Sequence, residues 1–272
     1  MSNHINEKIK QAILEYKPEI FGKIGGIEAS HLYQFLITGL PQLVRGNTLF
    51  VNAGIFCEDD FDLREWCMEY IRAVKNTDYM LQWCPEQGDE AVIQSVWQGK
   101  EIFSDFVGLE PFTLGEDGWH HYLEDKTLLV IAPFENTILR QAEKYPLLWN
   151  GSKVKKVKVV KSPYSEALTG EQPIKWRDKL DQILDSIDNV GEFDIATVGC
   201  GGFSLLVCDH IKSLGKPSIH LGGGNQLLFG IRGKRWDNSF SKYDWYGTKD
   251  WIRPMPEEIP QYNNLVEGGC YW

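Results

Sequence analysis

The sequence predicts a doubly wound α/β fold around a mostly parallel, Rossmann-like sheet, and three observations carry that prediction. Short apolar runs of the buried-strand type recur at residues 127–132, 195–198 and 218–221. Stretches with helical spacing separate them, and a strand–helix alternation of this kind is what parallel strands require. The last two runs each end in a glycine cluster, which lets backbone approach a ligand at a strand end.

The elements follow in order. Ile5, Ile9 and Ile13 place a helix over residues 5–16, ahead of Pro18. Gly25 and Gly26 form a turn that delivers Glu28 and Ser30 to a second helix over 31–38. Residues 48–51 read as a strand. Asp60 is placed to cap a helix over 61–75 with Leu63, Cys67, Tyr70, Ile71 and Val74 on one face. A strand is expected over 79–84 and a short helix over 91–97. The aromatic-rich stretch to residue 126 gives no clear element; its adjacent His120 and His121 point apart rather than toward a shared metal. The strand at 127–132 enters Pro133-Phe134-Glu135-Asn136-Thr137 and a helix over 138–144. Lysine alternates with valine over 154–160, the pattern of a solvated strand face, and Ser162-Pro163-Tyr164 follows. An amphipathic helix covers 175–188. Residues 194–226 then form a βαβ unit with right-handed crossover. In it Gly199, Gly201 and Gly202 precede a helix over 205–214, and Gly222, Gly223 and Gly224 follow the strand at 218–221.

The totals narrow the function classes. Of 272 residues, 43% are hydrophobic and 24% charged, an ordinary globular balance. A net charge of −10 argues against general affinity for nucleic acid or anionic membranes. No apolar run is long enough to span a bilayer, and the polar, amphipathic start is unlike a signal peptide. Six cysteines without a CxxC pair point to free thiols and a cytoplasmic setting. No Pro/Ser/Gly-rich linker and no internal repeat divides residues 1–272, so one domain is expected.

Four strand ends converge: 133–137, 162–164, 199–202 and 222–226. Arg232, Lys234 and Arg235 form a cationic island just beyond them in an acidic chain. Glycine loops and guanidinium groups together suit a diphosphate. Ser204 replaces the third glycine of a dinucleotide fingerprint, and no carboxylate ends the next strand, so that reading fails. A methyltransferase-type glycine motif is weak for the same missing acid and for its late position. Asn136, Thr137, Ser162 and Gln226 are candidate hydrogen-bonding groups for a nucleotide or sugar, and His220 is a candidate to touch the phosphates. The segment 266–272 ends on aromatics and either folds over a cleft or packs on the surface.

The early glycine–acid turn, the strand running into PF-x-x-T and the late D-I-A-x-x-G-x-G-G…G-K-x-x-I-H-x-G-G unit together resemble the GT-D-fold glycosyltransferases, among them relatives from polysaccharide gene sets. The resemblance covers most of the chain in order. It implies transfer of a sugar from a nucleotide diphosphate-sugar donor to a glycan acceptor, in polysaccharide or glycan synthesis. It also implies a divalent metal, Mn or Mg, on the Asp-x-Glu of an R-F-G-D-G-E segment. Here the matching residues are Lys23-Ile24-Gly25-Gly26-Ile27-Glu28: Glu28 is present, and Gly26 stands in place of the aspartate. Glu28 is therefore the candidate metal ligand or base. Lys234 and Arg235, helped by Lys23, are the candidates to stabilise the leaving diphosphate. The alternatives are a non-catalytic nucleotide- or carbohydrate-binding module and, less favoured, an S-adenosylmethionine-dependent methyltransferase.

Overall fold

The computed structural model describes residues 2–39 and 48–272. Seven strands, β1 Ile20–Lys23, β2 Tyr79–Leu81, β3 Glu101–Phe103, β4 Thr127–Ala132, β5 Lys156–Lys161, β6 Ile195–Val198 and β7 Ser218–His220, form one sheet in the order β3-β2-β1-β7-β6-β4-β5. Every neighbouring pair is parallel. All carboxyl ends therefore lie along one edge. The helices are α1 Ser2–Glu15, α2 Gly26–Thr38, α3 Thr48–Ala53, α4 Asp60–Asn76, α5 Asp89–Val96, α6 Glu135–Ala142, α7 Tyr145–Leu148, α8 Glu166–Thr169, α9 Trp176–Asn189, α10 Ser204–Ser213 and α11 Lys234–Phe240.

Side chains alternate across a strand, and β4 shows how this sorts the core into two layers. Leu129 and Ile131 join the cluster containing Leu32, Trp66, Ile183 and Val207, from α2, α4, α9 and α10. Leu128 and Val130 join the opposite cluster with Ile9, Ile138 and Trp236, from α1, α6 and α11. Helices thus cover both faces, the doubly wound arrangement the alternation predicts. Each of these β4 side chains is fully buried, worth about 2 kcal/mol apiece in transfer free energy.

The chain leaves β4 for the outer strand β5 but leaves β6 for β7 on the other side. The β4/β6 boundary is therefore a switch point, where the loops part and leave a crevice at the carboxyl edge.

Three expectations are corrected. Residues 48–51 are helical, within α3. Four residues cannot separate a strand period from a helical one; Leu49 and Ala53 both face the core, and Gly54, at φ +76, ends the helix by donating to Phe50 O at 3.1 Å. Asp59, not Asp60, caps α4, accepting from the N–H groups of Phe61 and Asp62, both at 2.9 Å. The glycine turn at Gly25 follows a central strand, β1, and the aromatic stretch contains β3. With four and three residues, these strands are too short to show a period.

Candidate functional site

A cavity of about 340 Å³ lies at the carboxyl edge, within the size range of small-molecule sites. Its wall comes from the loops after six of the seven strands, from α3 and from residues 266–272. The glycine clusters meet in it. Each starts a tight helical turn, Gly201–Phe203 leading directly into α10, and Gly222–Phe229 after β7. A Cβ on Gly199 would lie 2.3 Å from the Gly222 carbonyl oxygen, so the two loops touch backbone to backbone. Gly201 and Gly222 sit at φ +59, where a side chain would be strained. The first N–H groups of such turns have no intrahelical partner. Gly223 also lines the cavity, whereas Gly202 does not; its carbonyl accepts from Trp66 Nε1 at 3.4 Å, and a Cβ would strike Ile55. Gly202 is a packing residue.

Two cations reach the wall. Lys23 ends β1; its Nζ lies 3.3 Å from Glu110 Oε1 and 4.7 Å from the Phe106 ring centroid. Arg235 lies 4.6 Å over the Tyr271 ring, and its Nη2 donates to Glu267 Oε2 at 2.5 Å. Burial works against its charge, but Tyr271, Cys270 and Glu267 outweigh it and hold its pKa above the ordinary value. The cationic island is split. Lys234, one residue earlier on α11, lies outside the cavity with its Nζ 3.4 Å from Gly268 O, because neighbours on a helix project about 100° apart. Arg232 is taken by Asp237 at 3.2 Å.

Glu28, in the first turn of α2, lines the cavity at 7% exposure. A Cβ on Gly25 would lie 2.2 Å from Glu28 Oε2, so the carboxyl rests over that glycine. Burial pushes the carboxyl pKa up, against the pull of the residue's own backbone N–H. No lysine or arginine pairs with it among the described residues. A Cβ on Gly26 would lie 1.4 Å from Gln87 Oε1. The Gln87 amide thus fills the space an aspartate would need. Among the described residues no three His, Cys, Asp or Glu side chains are grouped to hold a metal ion. A lone carboxylate does not fit a protein-built Mn or Mg site.

His220 lines the cavity from the end of β7. Its Nδ1 lies 2.8 Å from Lys23 O, which can only accept, so Nδ1 carries the proton and Nε2 is bare. Burial, then the Lys23 ammonium, lower its pKa to about 3, and the ring is neutral. Ser162 lines the wall, its N–H donating to Ala132 O at 3.1 Å. Gln226 lines it beside Asn225, a neighbour the sequence reading passed over.

Asn136 and Thr137 are not in the wall. Their N–H groups donate to the two oxygens of Glu258 at 2.7 and 3.0 Å, and the Thr137 hydroxyl donates to the same carboxylate. Glu258 occupies the anion position at the start of α6. A carboxylate from more than a hundred residues away, which no local pattern announces, has taken the place expected for a ligand.

Residues 266–272 do fold over the cleft. Arg235 N donates to Cys270 O at 2.9 Å, Trp272 Nε1 donates to Glu258 O at 3.2 Å, and Glu267, Tyr271 and Trp272 enter the wall. Trp83 after β2 also lines it, its Nε1 donating to Ile24 O at 2.8 Å. The aromatic ending of the sequence was the signal for the first group; Trp83 carried none. All six cysteines are buried and free, and no helix among the described residues is long and apolar enough to cross a membrane.

No family model, curated protein or solved structure matches the chain.

Proposed function

We propose that the chain is a glycosyltransferase that moves a sugar from a nucleotide diphosphate-sugar donor to a glycan acceptor, in the cytoplasm and in the service of polysaccharide or glycan synthesis. One observation carries most of the support: Lys23 and Arg235 converge with two touching glycine loops on a single cavity. The sequence resemblance to GT-D-fold glycosyltransferases adds the reaction class. In transfer, the bond from the sugar's anomeric carbon to the diphosphate breaks and its electron pair leaves on a phosphate oxygen. Cations and N–H groups fixed in place stabilise that charge without reorganising. The acceptor hydroxyl oxygen forms the new bond to the anomeric carbon and loses its proton to Glu28, whose buried carboxylate has the raised proton affinity a base needs. Lys23 and Arg235 replace Lys234 in the charge-stabilising role, and no step is assigned to a metal.

The test is incubation with a panel of nucleotide sugars. Release of free nucleoside diphosphate from one donor is expected, and Glu28→Gln abolishes it while the fold is retained. Binding without any turnover would make the chain a nucleotide- or carbohydrate-binding module instead. Wild-type turnover in Glu28→Gln would remove Glu28 from the mechanism.

A further inference from the structure

Trp83 differs from the other tryptophans. The chain has ten, and among the described residues Trp83 is the one left exposed, at 38%, while it also lines the cavity. The ring is held in place. Its backbone N–H and that of Cys84 both donate to the buried Asp89 carboxylate, at 2.7 and 2.9 Å. Its indole N–H is spent on Ile24 O at 2.8 Å, and Phe106 packs edge-on against it with ring centroids 5.2 Å apart. An aromatic ring fixed at both its backbone and its nitrogen loses little conformational freedom when a ligand covers it. With the N–H satisfied, what it offers is flat apolar surface. The side chains beside it are polar: Gln87, exposed and lodged against Gly26, and Glu28 both line the same wall. A sugar ring, with one face of C–H groups and a rim of hydroxyls, fits that combination.

Position in the sheet decides which ring of the nucleotide-sugar reading belongs there. Ile24 O takes the indole N–H, and the next residue, Gly25, lies under the Glu28 carboxyl. The Trp83 ring and the base thus flank one peptide unit, and the hydroxyl that gives up its proton must sit beside them. The strands run in the order β2-β1-β7-β6-β4-β5. Neighbouring strands are about 4.8 Å apart, which sets β2 about 10 Å from β7 and its glycine loop. Arg235 lies toward the opposite side: Tyr271, on which it stacks, packs against Trp272, which meets Phe134 and Tyr164 after β4 and β5. A nucleotide held by Arg235 lies toward those strands, away from Trp83.

We propose that Trp83 is the platform of an acceptor subsite, stacking the apolar face of the glycan ring whose hydroxyl loses its proton to Glu28. The proposal rests on the nucleotide-sugar reading and says where its acceptor binds.

The test separates the two ends of the cavity. The diphosphates of uridine, guanosine, adenosine and cytidine are titrated by calorimetry into wild type, Trp83→Ala and Trp83→Phe. With the best of them present, methyl glycosides of hexoses and N-acetylhexosamines are titrated into the same proteins by saturation-transfer NMR. Trp83→Ala should weaken binding of the preferred glycoside about tenfold, the worth of a lost aromatic contact. Trp83→Phe should recover most of it, and nucleoside diphosphate affinity should stay within about twofold in both variants. A wild-type experiment needs no variant to fold: brief oxidation with N-bromosuccinimide, read by peptide mass mapping, should modify Trp83 first, and the glycoside should protect it where nucleoside diphosphate does not. Three outcomes overturn the proposal while leaving the diphosphate site intact: no glycoside bound by the wild type, equal glycoside affinity in all three proteins, or loss of nucleoside diphosphate affinity in Trp83→Ala, which would give the ring to the nucleobase. Failure of every nucleotide to bind overturns the reading beneath it as well.

Discussion

His220 gives a prediction whose size follows from the structure. Its imidazole is 5% exposed and stands beside the Lys23 ammonium, which together hold its pKa at about 3 against an ordinary 6.5. The folded chain therefore refuses a proton that the unfolded chain accepts. A depressed pKa contributes stability that is present above 6.5 and lost as pH falls toward 3. The gap corresponds to about 5 kcal/mol in full, comparable with the total stability of an ordinary domain. Between about pH 7.5 and pH 4.5 the loss comes to about 2.5 kcal/mol. His220→Asn keeps a donor for the Lys23 carbonyl and removes the titration. Urea unfolding of wild type and variant across that range isolates the effect from the carboxylates, which are common to both. The wild type should lose about 2.5 kcal/mol more than the variant. Parallel pH curves would show that His220 takes up a proton in the fold as readily as in the unfolded chain, against the burial and Lys23 argument.

Glu28→Gln should raise the melting temperature relative to wild type, by an amount that grows as pH rises above 4.5. The buried carboxyl keeps its proton longer than in the unfolded chain, so its ionisation destabilises the fold in that window; a gain that is flat with pH would contradict this. Glu267→Gln frees Arg235 from its carboxylate and should tighten inorganic pyrophosphate binding by up to about fivefold, the pair being partly exposed; unchanged affinity in calorimetry would mean that Glu267 does not compete for the guanidinium. Gly199→Ala forces a Cβ to within 2.3 Å of Gly222 O and should cost about 2 kcal/mol by thermal denaturation. A cost under about 0.5 kcal/mol would contradict the backbone contact between the loops.

The parts of this molecule that repeat a local pattern were legible in its sequence. Strand β4 is an apolar run after Thr127 and β6 is broken only by Thr197, and α1, α4, α9 and α10 carry their buried residues at helical spacing, so most of the doubly wound plan follows from local pattern. That the glycines at 199, 201, 222 and 223 come together at one edge, where they line the cavity, was readable because strand ends in a parallel sheet share one edge. What failed was anything decided by distant partners. Glu258 reaches the start of α6 and turns Asn136 and Thr137 from candidate ligand contacts into structural ones. Helical phase separates Arg235 from Lys234, which look equivalent in a string of letters. Gln87 occupies the space beside Gly26, and nothing in the residues around either position marks that pairing.

The account turns on whether the glycine-lined cavity takes a diphosphate through Arg235. The most direct measurement is calorimetric titration of the wild type, Arg235→Ala and Lys234→Ala with a nucleoside diphosphate and its sugar conjugate. The account predicts that Arg235→Ala weakens binding at least about tenfold, the worth of one charge-assisted hydrogen bond, while Lys234→Ala binds like wild type. Equal effects of the two substitutions, or none from either, would contradict it.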